Sequence, residues 1–264
     1  MAISGFKRYL KLIKNVENPW EYFLNKRKRH EKNLNFTTRP NKISFDVSSG
    51  IYLVFKEIFM SDVYNIDELL KKIPEKPVIV DIGANVGFFD MLILSKLPGA
   101  TIYAYEPLPV NVAKLNKIIS ENPQIKDAIS VYQCAVTGNS KEALELYMED
   151  TDDSQVVASV FSGFNKNNTK KISVPSITLT EIITGNKLEE IDLLKIDCEG
   201  SEYDIIYNTD AEIIKRAKFI ALEIHDLDEK NNFREMKKYL TSLGYQLTAE
   251  PINDFCYAVE AIRQ

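Results

Sequence analysis

The stretch Val80-Asp81-Ile82-Gly83-Ala84-Asn85-Val86-Gly87 completes an apolar run, Val78–Ile82, and opens a helical pattern that continues to Leu97. A strand that turns on glycine into a helix is the opening unit of an open α/β sheet. Gly83 lets the chain turn sharply and lets a ligand approach the backbone, and Gly87 permits the helix to pack closely on the strand. Asp81, shortly before the first glycine, suits a ligand with a cationic ammonium end. A pyrophosphate there would meet an unfavourable like charge.

The alternation continues downstream. Thr101–Tyr105, Ile129–Val136, Leu193–Ile196 and Phe219–Ile224 read as strands, and Pro109–Asn122, Glu202–Asn208 and Phe233–Leu243 as helices. Ala143–Met148 and Ile172–Ile177 are further strand-like runs around a polar stretch, Glu149–Lys171. That stretch is long for a structureless loop and reads as a functional lid or a surface insertion. Tyr245–Ala249 and Phe255–Ile262 are final strands about the turn Glu250-Pro251-Ile252-Asn253-Asp254. The pattern predicts an α/β fold with a doubly wound, mostly parallel sheet and an antiparallel C-terminal hairpin at its edge.

Upstream the pattern differs. Ile43–Val47 and Ile51–Phe55 look like strands of a hairpin turned at Ser48-Ser49-Gly50, and Asp67–Ile73 like a short helix. Over residues 5–16, Phe6, Tyr9, Leu10, Ile13 and Val16 recur at helical spacing, while Lys7, Arg8, Lys11 and Lys14 fill much of the other face. This is a basic amphipathic helix. The net charge of −5 hides an asymmetry: residues 1–50 hold 11 Lys/Arg against 4 Asp/Glu, the remainder 22 against 34. Residues 1–42 therefore read as a basic helical extension. It either packs on its own domain or makes peripheral contact with an anionic membrane.

The acidic remainder argues against nucleic acid as a partner. No run of about 18 uninterrupted apolar residues is present to span a bilayer. The basic N-terminal segment lacks the continuous apolar core and cleavage site of a secretory signal. Cys134, Cys198 and Cys256 form neither a disulfide framework nor a zinc pattern, so a cytoplasmic location is expected.

Three strand ends carry the remaining chemistry. Glu106, in Tyr105-Glu106-Pro107, lies 19 residues beyond Gly87, where a carboxylate can accept hydrogen bonds from both ribose hydroxyls of a nucleoside. Leu194-Lys195-Ile196-Asp197-Cys198-Glu199-Gly200 delivers two carboxylates to the carboxyl edge of the sheet. Acids leaving a buried strand together are costly unless they face a ligand, a metal or water. Glu223-Ile224-His225 ends the next strand with one of only two histidines, placed as a general base.

Taken together, these segments resemble the FkbM family of methyltransferases. The resemblance rests on Val80 through Phe89, Tyr105-Glu106-Pro107, Leu194 through Tyr203 and Glu223-Ile224-His225, with Phe55-Lys56-Glu57-Ile58-Phe59 and Tyr64 as a lead-in. It implies a Rossmann-like catalytic domain over 43–264 and methyl transfer from S-adenosylmethionine to a hydroxyl of a small-molecule or glycan acceptor, the family's acceptors including sugars and natural products. Asp81, Gly83, Asn85, Gly87, Glu106, Pro107, Ala135 and Asp197 are then expected at the cofactor, with His225, Glu199 and Asp197 as catalytic candidates. Asp90 departs from the family pattern; near a helix start, it would complement the dipole.

Two other readings share parts of the pattern. A nicotinamide oxidoreductase would use the glycine turn and Glu106 but leaves Asp81 and the Asp197/Glu199 pair without a role. A non-catalytic scaffold would retain the fold alone. Asp197, Glu199, Glu223 and His225 also carry donor types for a divalent metal, which is not expected because alternating strand positions face opposite sides.

Overall fold

Alternate residues of the central strands feed two separate apolar layers. Ile79 and Leu193 belong to one cluster, and their neighbours Val80 and Leu194 to another. That is the consequence of the two-residue period of a strand buried on both faces. The computed structural model describes residues 5–148 and 170–264. The Glu149–Lys171 stretch lies outside the described residues except for Lys170 and Lys171.

The N-terminal elements are α1 (Lys7–Asn15), α2 (Trp20–Asn25), β1 (Leu34–Thr37), β2 (Ser44–Val47), α3 (Tyr52–Lys56) and α4 (Ile66–Leu69). The main sheet begins with β3 (Val78–Ile82), α5 (Phe88–Lys96), β4 (Thr101–Tyr105), α6 (Pro109–Glu121) and β5 (Ile129–Tyr132). Next come β6 (Ala135–Thr137), β7 (Ala143–Met148), β8 (Lys170–Thr178), α7 (Leu179–Gly185), β9 (Leu193–Ile196), α8 (Glu202–Asn208) and α9 (Ala211–Ile214). The C-terminal part is β10 (Phe219–His225), α10 (Phe233–Ser242), β11 (Tyr245–Asn253) and β12 (Cys256–Arg263).

Seven strands form the main sheet in the order β11-β12-β10-β9-β3-β4-β5. The pairs β10–β9, β9–β3, β3–β4 and β4–β5 are parallel, and β12 is antiparallel to both β10 and β11. The doubly wound expectation therefore holds, and so does the antiparallel C-terminal pair. Its later strand, β12, lies inside the sheet rather than at its edge.

Two local readings are corrected. Ile51–Phe55 is not a strand: Tyr52–Lys56 is helical and runs into a single π-helical turn, Glu57–Ser61. The actual partner of β2 is β1, with Leu34 opposite Val47. Aromatic packing explains the override, since Phe55 lies against Phe36, Phe59 and Phe88. The run Ile129–Val136 is likewise two strands. β5 stays in the main sheet, while β6 pairs with β8 in a second sheet of order β6-β8-β7.

The N-terminal elements share the core. Leu12, Val16, Tyr22, Leu34 and Phe36 belong to the same buried cluster as Ile79 and Phe88. The β1–β2 ribbon joins residues on both sides of residue 42. Asn15 donates to the Phe59 carbonyl at 3.1 Å, and Lys11 pairs with Asp62 and Asp67. No helix among the described residues is long and apolar enough to cross a membrane.

Candidate active site

The strand order reverses between β3 and β9, and open α/β sheets bind ligands at such switch points. There the ends of the two strands nearly touch. The Asp197 amide donates to the Ile82 carbonyl at 3.0 Å, and a Cβ on Gly83 would stand 1.7 Å from the Asp197 carbonyl oxygen. Gly83 also holds φ +80°, so both space and backbone demand glycine. At Gly87 the close neighbour is α6: a Cβ would meet the Leu115 side chain at 2.3 Å.

A cavity of about 420 Å³ opens at this edge. Gly83, Asn85, Glu106, Pro107, Ala135, Asp197 and Glu199 line it, as sequence reasoning expects of a common site. Asp81, Gly87 and His225 are not among its lining residues. Ala135 reaches it from the start of β6, not from the end of the third parallel strand.

Glu106 is nearly buried. It accepts from the Asn85 amide at 2.8 Å, the Leu108 amide at 3.0 Å and the Asn111 side chain at 3.2 Å. Burial outweighs these donors and pushes its carboxyl up to about 7.

Asp81 lies behind the cavity wall. Its carboxylate receives the Lys195 ammonium at 2.8 Å, and Lys195 also donates to the Gly83 carbonyl at 3.1 Å. Burial alone would lower the Lys195 pKa, but Asp81 and Asp197 outweigh it and keep the ammonium charged. Asp90 does not serve the helix dipole. It is wholly buried beside Asp81, and burial, then the Asp81 charge and their shared hydrogen bond, raise it well above the usual carboxylate range. Lys195 sits over the rings of Tyr64 and Phe89, with its nitrogen 5.5 and 5.6 Å from their centroids.

The acidic side of the cavity is richer than the sequence suggested. Tyr64 donates its hydroxyl to Asp197. Glu57, on the π turn, also lines the cavity. Burial and the Asp197 charge push Glu57 up to about 7, Glu199 to about 9 and Glu223 to about 8. Glu199 holds φ +51°, a left-handed conformation that a non-glycine residue adopts at a cost of roughly 1–3 kcal/mol.

His225 stands behind these acids. Its Nε2 is 3.5 Å from both Glu199 and Glu223, and its Nδ1 is 3.6 Å from Glu202. Burial would lower its pKa, but the hydrogen bond and charge of Glu202, with smaller contributions from Glu199 and Glu223, push it up to about 9. Tyr203 fixes the strand end by donating to the His225 carbonyl at 2.9 Å. The potential donor atoms of Glu223, His225 and Cys256 lie within 4.8 Å of one another. Asp197 and Glu199, which sequence reasoning included among the metal donors, are not in that group.

Sequence reasoning missed Glu57 and the Lys195 contacts. Both residues lie in segments that carry the family resemblance, and that was the available signal.

The model of the methyltransferase FkbM domain matches residues 81–247. Methyltransferase sdnD of Sordaria araneosa is 29% identical over 235 residues, covering 75% of this chain and 83% of that protein. The 31-O-demethyl-FK506 methyltransferase FkbM of Streptomyces tacrolimicus is 24% identical over 230 residues, covering 75% and 82%. Among solved structures, the methyltransferase FkbM from Methylobacillus flagellatus KT superposes with a TM-score of 0.49 at 16% identity, covering 71% of this chain and 44% of that one. The chain belongs to the FkbM family of S-adenosylmethionine-dependent methyltransferases.

Proposed function

We propose that the protein transfers the methyl group of S-adenosylmethionine to a hydroxyl oxygen of a saccharide or natural-product acceptor. The observation that carries this reading is one cavity joining a nearly buried carboxylate on the strand beside the glycine turn, Glu106, to the acids Asp197 and Glu199 at the switch point. The Streptomyces relative, a 31-O-demethyl-FK506 methyltransferase, supports oxygen as the acceptor atom.

When bound, S-adenosylmethionine supplies an electrophilic methyl group on a sulfonium sulfur. Glu106 takes a ribose hydroxyl on Oε2, where the Asn85 amide leaves one lone pair. Gly83 and Asn85 floor the pocket, and Pro107 and Ala135 flank the base. Asp81 and Gly87 act through the turn, Asp81 by holding Lys195 against the Gly83 carbonyl. Asp197, oriented by Tyr64, faces the cationic end of the cofactor. Glu199 receives the acceptor proton as the carbon–oxygen bond forms and the carbon–sulfur bond breaks. His225 positions Glu199 and Glu223 from behind. The three cysteines are free thiols, which fits the reducing cytoplasm.

Calorimetric titration tests the cofactor site. Glu106→Ala should weaken S-adenosylmethionine binding by about 1–3 kcal/mol, the scale of hydrogen bonds to a charged group. Unchanged affinity would remove Glu106 from the ribose.

The raised carboxyls supply a second test. In the free protein, Glu199 and Glu223, pushed up to about 9 and 8, hold protons at neutral pH. A sulfonium cation beside them favours their ionised forms and lowers their pKa values. Binding should therefore release protons, and affinity should rise with pH between about 7 and 9. S-adenosylhomocysteine, which lacks the sulfonium charge, should release far fewer. Titrations in buffers of different ionisation heat count the protons; equal counts for the two ligands would place the acids away from the sulfur.

A further inference from the structure

Among the described residues, nine large hydrophobic side chains are exposed, and six of them lie between residues 6 and 24. Phe6, Leu10 and Ile13 recur at i, i+4 and i+7 along α1 and its start, so they share one face. Leu12 and Val16 are fully buried on the opposite side, where Lys11 is bound to Asp62 and Asp67. The helix thus docks on its domain through a mixed apolar and ionic face and turns its apolar stripe outward. On α2, Trp20, Phe23 and Leu24 are exposed in the same way. Tyr9, which packs on Phe6 at 6.4 Å along α1, joins the two helices through Phe23 at 5.6 Å. The exposed side chains of α1 and α2 thus lie on adjoining helices.

The charge around this surface identifies what covers it. Residues 1–50 hold 11 Lys/Arg against 4 Asp/Glu. Lys7, Arg27 and Lys28 are exposed beside the stripe. A second copy seated on the same face would bring identical cations together, which disfavours self-association. Aromatic and leucine side chains outward, with lysine and arginine around them, are the composition of helices that lie in the interface of an anionic bilayer.

We propose that the α1–α2 face docks the protein on an anionic membrane surface. Tyr22 of α2 stacks on Tyr52 of α3 at 6.1 Å, and the next residue, Leu53, is exposed and lines the cavity. The docking helix α2 thus packs on the element, α3, that carries a cavity-lining residue.

Trp20 is the only tryptophan of the chain, so its emission reports this face alone. The full chain is titrated with vesicles of phosphatidylcholine and phosphatidylglycerol. The expected result is a blue shift of Trp20 emission together with co-sedimentation, both reduced by salt and by vesicles of phosphatidylcholine alone. Leu10→Ser combined with Leu24→Ser should weaken vesicle binding at least about tenfold, from the lost apolar burial. The heat of S-adenosylmethionine binding, unchanged in this variant, shows that the domain is folded. Absence of both shift and sedimentation for the full chain overturns the proposal. So does a blue shift that arises without lipid as protein concentration and sedimenting mass rise together, because a second copy then covers the face.

Discussion

Glu199→Gln is expected to lower methyl transfer by about 10²-fold or more while changing S-adenosylmethionine affinity little, the pattern of a lost general base. Glutamine keeps the size and the neutral hydrogen-bonding of the protonated acid but cannot take a proton. Glu199 lines the cavity next to Asp197, whereas His225 does not line it and, against its burial, is pushed up to about 9, chiefly by Glu202. The acceptor proton is therefore expected to go to a carboxylate and not to the imidazole. His225→Ala should act indirectly: with the imidazolium gone, Glu199 and Glu223 lose a cation 3.5 Å away and their pKa values rise further. Its rate loss should thus shrink as pH rises, while that of Glu199→Gln persists. If both variants keep near wild-type rates, the proton acceptor lies elsewhere, and Glu57 and Tyr64 are the next cavity residues to replace.

Lys195→Met should destabilise the fold by about 3–5 kcal/mol, the cost of leaving a buried charge without its partner. The Lys195 and Asp81 side chains are 3% and 0% exposed, 2.8 Å apart. Asp90 beside them, raised by burial and by the Asp81 charge, supplies no cation to replace the ammonium. Asp81→Asn together with Lys195→Met should recover much of the loss, since the uncompensated carboxylate is then absent. Urea midpoints measure all three proteins. A loss below about 1 kcal/mol for Lys195→Met would mean that the pair contributes no more than a surface ion pair.

These two sites differ in how far the sequence disclosed them. Gly83, Glu106, Asp197 and Glu199 were legible because each sits where a strand gives way to a turn. Strand period and glycine placement report such ends directly. Family membership then sets aside the nicotinamide reading that the glycine turn and Glu106 had left open. The Asp81–Lys195 pair was not legible, because its members are 114 residues apart and meet only when β3 pairs with β9. Asp90 looked like a helix-start acid until packing buried it against Asp81. Ile51–Phe55 misled because a short apolar run has no period to separate strand from buried helix. The same error hid Glu57, which the π turn carries into the cavity.

The position of β12 bears on how the protein is made. β12 lies between β10 and β11, although both precede it in the chain. During synthesis, which proceeds from the N-terminus, β11 leaves the ribosome with no strand to join. The outer edge of β10, from Phe219 to His225, stays unpaired until Cys256–Arg263 has emerged. His225 is registered opposite Cys256, so the imidazole that steadies Glu199 is fixed only by the last strand to arrive. A nascent chain can collapse around β3 and β4 early, but the end of β10 must wait for β12.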